Sequence, residues 1–122
     1  VNSIRAHAGS VECVALDPAN RLLASGGAGR LVKLWDAATG KLLTTLAGHR
    51  RFVKSLAFSS DGKTLASGGY DAVVHLWDVE SAQLQRTIRA HNNTVYGVAF
   101  SADRRLLATA SFDRTIKVWK LV

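Results

Sequence analysis

Residues 53–78 read VKSLAFSSDGKTLASGGYDAVVHLWD. A short apolar run, 53–58, leads into Ser59-Ser60-Asp61-Gly62, and Asp-Gly between apolar runs is a strong hairpin signal. A second run, 64–68, is broken by Gly69-Tyr70-Asp71. A third, 73–78, is broken at 79–82, and a fourth, 84–89, is broken at 90–93. Short apolar runs with turns about every ten residues predict four antiparallel strands in one sheet. No segment keeps an apolar spacing of three and four, so essentially no helix is expected and the fold class is all-β.

The stretch recurs on both sides. Residues 11–36 read VECVALDPANRLLASGGAGRLVKLWD, and residues 95–120 read VYGVAFSADRRLLATASFDRTIKVWK. Trp35, Trp77 and Trp119 lie 42 apart, as do His7, His49 and His91. Val11, Val53 and Val95, then Leu23, Leu65 and Leu107, then Ser25, Ser67 and Thr109 keep the same step. Sparse residue types sharing one ungapped period mark an internal repeat. The chain divides into a terminal outer strand at 1–6 and repeats at 7–48, 49–90 and 91–122, the last lacking its final strand.

Composition narrows the class. The chain has 122 residues, 48% apolar and 20% charged, which is globular rather than disordered. The single cysteine, Cys13, excludes an intrachain disulfide and suits a reducing, cytoplasmic setting. No apolar stretch is long enough to span a bilayer, and no signal-peptide pattern opens the chain, so no membrane association is expected. The sequence opens on Val1 and contains no methionine, so its native start is expected to be absent. A net charge of +7 admits anionic partners without naming one.

The 42-residue period, Gly48-His49, the run Leu65-Ala66-Ser67-Gly68-Gly69 and the pairs Trp35-Asp36 and Trp77-Asp78 resemble WD40 repeats of a β-propeller. The resemblance covers nearly the whole chain. It departs at Ala6-His7, Ala90-His91 and Trp119-Lys120. It implies a WD40-type propeller segment of three four-stranded antiparallel blades, one of them split between the N- and C-termini. It also implies a buried hydrogen-bonded set in each blade, carried onto His49, Ser67, Asp71 and Trp77 and onto His91, Thr109, Asp113 and Trp119. In the first copy Gly29 takes the Asp position, so His7, Ser25 and Trp35 lack their carboxylate and that blade is expected to be the softest.

His, Ser and Asp together also invite a catalytic triad. The set recurs at one period, whereas a catalytic site is needed once, and its hydroxyls sit in mid-strand. The four histidines show no close metal-ligand spacing, and His75, alone on its strand, is expected at the surface. Gly26-Gly27-Ala28-Gly29-Arg30 lacks the Lys-Ser/Thr of a phosphate loop. Cys13 reads as a small core residue. No enzyme activity, metal or cofactor is expected.

The ends are in complementary phase. Residues 1–5 align with the fourth strands at 43–47 and 85–89, while 115–120 is a third strand, so twelve strands are expected. Propellers need about four to eight blades, so three make an arc. This predicts a homo-oligomer in which each copy donates its first strand to the next: two copies give a six-bladed ring, three a nine-bladed one. The alternative is a fragment of a larger regulatory propeller protein.

By the same resemblance, one face receives peptides and proteins. The exposed positions there are Ser10, Glu12, Ala28, Phe52, Lys54, Tyr70, Thr94, Tyr96 and Phe112, with Arg30, Arg50, Arg51 and Arg114 on the rim. Aromatic residues with a basic rim suit a scaffold or recognition module for an acidic or phosphorylated peptide. An RNA-binding surface is the runner-up, since Phe and Tyr stack on bases. Against it, Arg21, Lys63, Arg104 and Arg105 fall on the opposite face, so the charge forms no single stripe.

Overall fold

The computed structural model describes residues 3–121. Among these are eleven strands and no helix. β1 (Val11–Leu16), β2 (Leu22–Gly27), β3 (Leu31–Asp36) and β4 (Leu42–Ala47) form the first blade. β5 (Val53–Phe58), β6 (Thr64–Gly69), β7 (Val74–Asp78) and β8 (Gln83–Ile88) form the second. β9 (Val95–Phe100), β10 (Leu106–Ser111) and β11 (Ile116–Lys120) form the third. Every pairing is antiparallel between consecutive strands, in the order the repeat predicts.

Within the single chain the expected twelfth strand is not formed among the described residues. Residues 3–5 are not paired in any sheet, and Val1 and Asn2, on which that expectation also falls, lie outside the described residues. The third blade therefore has three strands, and β11 is its unpaired edge. The sheets form an open arc rather than a ring.

The blades stack through their inner strands, β1 against β5 and β5 against β9. The middle sheet buries one face on each of its two neighbours, because side chains alternate along a strand. Ala24, Val32, Leu34 and Leu46 of the first blade pack on Val53, Leu65 and Trp77 of the second. Ala66, Val74, Leu76 and Ile88 of the second pack on Val95, Leu107 and Trp119 of the third. Glycine makes the close approach at both joints: a Cβ on Gly26 would fall 2.6 Å from Val53 Cγ1, and one on Gly68 would fall 2.7 Å from Val95 Cγ1. An ion pair crosses each joint, at different positions of the repeat. Lys54 pairs with Glu12 at 3.2 Å across the first joint, and Arg104 with Asp61 at 3.2 Å across the second.

Candidate functional site

In the second blade, His49 Nε2 lies 2.7 Å from Ser67 Oγ, and the Trp77 indole N–H donates to the same oxygen at 2.8 Å. His49 Nδ1 lies 3.0 Å from Asp71. One proton arrangement satisfies every group: indole to hydroxyl, hydroxyl to Nε2, and Nδ1–H to carboxylate. The third blade repeats it, with His91 2.8 Å from Thr109, Trp119 donating to Thr109 at 3.0 Å and His91 2.9 Å from Asp113. In the first blade His7 and Trp35 both reach Ser25 at 2.9 Å, and among the described residues no carboxylate completes the set.

Burial raises the Asp71 carboxyl, but hydrogen bonds from His49 and the Arg50 N–H outweigh it and hold the group below its usual range. Asp113 is held low chiefly by the Thr115 hydroxyl. The second set has the connectivity of a Ser-His-Asp triad, yet Ser67 is fully buried and no substrate carbonyl reaches its oxygen.

His75 corrects the expectation of a surface residue. It is buried, because the rings of His49 and Trp77 pack against its own at 4.4 and 5.6 Å. Its Nε2 bonds the Gly48 carbonyl at 3.1 Å and its Nδ1 the Thr87 hydroxyl at 2.9 Å. The residues one repeat away, Lys33 and Lys117, send Nζ to the carbonyls of Ala6 and Ala90 at 2.8 and 2.9 Å. A histidine standing where both sister repeats have lysine was the sequence signal for this role. Burial, with help from His49, holds the His75 pKa below its usual value.

His49, Asp71 and His75 bring three potential metal-ligand atoms within 4.8 Å of one another. Each ring nitrogen already has a hydrogen-bond partner, and Arg50 and Arg89 line the recess beside them. A cation there would displace satisfied bonds and face two positive charges. Cys13 is half-buried, and its thiol points at the carbonyls of Gly26 and Val53. Burial pushes its pKa up to about 12.

The rim residues are only partly as expected. Phe52, Tyr96 and Phe112 are exposed, while Tyr70, Lys54, Glu12 and Ala28 are half-buried. Thr94 is a correction: it is buried, its carbonyl accepting the Phe112 N–H at 3.1 Å and its own N–H donating to Asn93 at 2.7 Å. The aromatics gather as two tilted pairs, Phe52 with Tyr70 at 5.5 Å and Tyr96 with Phe112 at 6.0 Å. Arg30, Arg50 and Arg51 join the first pair around a recess of about 410 Å³.

The family whose description is "WD domain, G-beta repeat" matches residues 1–36, 40–78 and 82–120. The chain belongs to the WD40 repeat family. Over 47 residues it is 53% identical to the pre-mRNA-splicing factor PRP46 of Saccharomyces cerevisiae, covering 38% of this chain and 10% of that protein. Over 43 residues it is 44% identical to pleiotropic regulator 1 of Homo sapiens, covering 35% and 8%. Over 41 residues it is 51% identical to an uncharacterized WD repeat-containing protein of Nostoc sp., covering 34% and 3%. The WD40 chain thus spans a tenth or less of the length of these relatives.

Proposed function

We propose that this chain is a non-enzymatic, intracellular protein-interaction module that completes a propeller with further copies of itself and binds a partner at the aromatic rim. The observation that carries the first part is the state of the two end faces. Val11, Val14 and Leu16 are 47%, 63% and 56% exposed, although their counterparts Val53, Leu56 and Phe58 pack into the first joint. At the other end Ile116 and Val118 are 76% and 62% exposed, whereas Val32 and Val74 are fully buried and Leu34 and Leu76 nearly so. One open face thus carries the front half of a blade joint and the other its back half. Burying each such side chain is worth about 1.5–3 kcal/mol.

The N-terminal segment supports exchange of a strand. Ile4 lies against Gly40, its Cδ1 3.3 Å from where a Cβ would stand. Ile4 and Gly40 are one repeat before Leu46 and Ala82, which belong to the same packed cluster. Residues 3–5 therefore run where the last strand of a preceding blade would run, against the first blade and without a sheet partner. The β11 edge of another copy is the matching partner. Ala110 is the one departure, since its methyl stands where Gly26 and Gly68 let a valine close in. Gly97 is paired opposite it.

Native mass measurement of the isolated chain tests this, with Ile4→Cys and Ile116→Cys chains mixed under oxidising conditions. In the proposed exchange these two positions would stand opposite each other, by analogy with the register of Val32 on Leu46 and Val74 on Ile88. The expected result is a discrete multimer, with the crosslink forming only between the two different variants. A multimer without the crosslink would remove strand exchange alone. A folded monomer with concentration-independent melting would overturn self-completion and assign the open faces to repeats elsewhere in a longer chain.

A further inference from the structure

The Arg30, Arg50, Arg51, Phe52 and Tyr70 recess breaks the repeat. One step on, the same positions are Ala72, Asn92, Asn93, Thr94 and Phe112; one step back, Arg50 to Tyr70 become Ala8, Gly9, Ser10 and Ala28. The backbone frame is common to the repeats, yet only the joint between the first and second blades gathers three guanidinium groups. A site used once is expected to differ from its repeats, whereas residues that hold the blades together recur.

The charge there is uncompensated. Among the described residues, none of the three arginines has an ion-pair partner. The acids nearby are committed: Glu12 to Lys54, and Asp71 to His49. Two of the three side chains start from a backbone held in place. The Arg50 N–H donates to Asp71 at 3.0 Å, and Arg30 sits in a turn at φ 65°. A fixed base lowers the entropy lost when a guanidinium engages a ligand. Phe52 and Tyr70 supply an apolar wall beside the charge.

We infer that this recess binds a phosphorylated side chain of a partner polypeptide, the guanidinium groups taking the phosphate oxygens and the Phe52–Tyr70 wall taking a neighbouring apolar residue. Three positive forks exceed what one carboxylate can match. A phosphate monoester carries about −1.5 to −2 and offers three strong acceptor oxygens, and Arg engages them in bidentate pairs. The apolar wall favours a peptide over a bare ion. The inference rests on the rim being the partner-binding face, but not on ring completion, since one chain supplies every residue.

The test is fluorescence anisotropy with a labelled, degenerate peptide mixture centred on phosphoserine, its unphosphorylated twin, and a single-stranded oligouridine. The phosphorylated mixture is expected to bind at least about tenfold tighter than its twin. Arg50→Gln and Arg51→Gln should each cost about tenfold, while Lys63→Gln on the opposite face should cost nothing. Equal binding of both mixtures would overturn the phosphate site and leave the rim as a peptide surface. No binding of either would remove the rim reading as well. Oligouridine binding as tightly, with the same losses in both variants, would reassign the recess to a nucleic-acid backbone.

Discussion

Gly29 stands where the other blades have Asp71 and Asp113, so His7 keeps its bond to the Ser25 hydroxyl, which also accepts the Trp35 indole N–H, but gains no carboxylate. A Cβ at Gly29 would meet nothing within 4 Å, and its backbone is not left-handed. Gly29→Asp is therefore expected to stabilise the chain by about 1 kcal/mol, read from urea unfolding. No gain would mean that the side chain does not reach His7. His75 makes a prediction about acid. The pKa of His7 is lowered by burial and by Lys33, and that of His75 by burial and by His49. Groups depressed on folding bind fewer protons in the native state. Stability is therefore intact above the usual histidine value, near 6.5, and falls as pH drops below it. Melting temperature should decline from pH 7.5 to 5.5, and His75→Lys, the residue of both sister blades, should flatten part of that decline. An unchanged slope would show that His75 contributes nothing to it.

At the scale of elements, the turns repeat in conformation more faithfully than in sequence. Asn20, Gly62 and Arg104 share one turn position and are all left-handed, with φ 59°, 72° and 65°. Arg30, Ala72 and Arg114 share another, with φ 65°, 68° and 73°. A β-carbon in that region costs about 1–2 kcal/mol. Asn tolerates it, but Ala has no side-chain bond to offset it. Ala72→Gly should raise stability by about 0.5–1 kcal/mol in denaturant melts, with the strands unchanged. Asp61-Gly62 was legible as a hairpin because glycine signals the turn directly. The turn at Arg104 was legible only through its place in the period.

For the whole molecule, the open faces dominate. Ile116 is the most exposed of the large apolar residues and occupies the position of the fully buried Val32 and Val74. Ile116→Lys places a charge at the centre of the proposed joint between copies while touching neither internal joint. Analytical ultracentrifugation should find the wild-type chain assembled and this variant monomeric or precipitated. Assembly that persists in the variant would place the contact elsewhere.

Period, strand boundaries and the hydrogen-bonding residues were legible in the sequence, because a repeat states the same local chemistry three times and one copy corrects the reading of another. The burial of His75 and Thr94 was not, since burial at one position depends on what the neighbouring strand and loop place over it. Nor was the state of residues 3–5, which share the pattern of β4 and β8 but have no third strand within reach to pair with. The sequence set Arg30, Arg50, Arg51 and Arg114 on one rim, but that the first three close with Phe52 and Tyr70 into one recess, without Arg114, belongs to the tertiary structure. Arg30 and Arg50 are twenty residues apart in the chain, and only the stacking of one blade on the next brings them to one cleft.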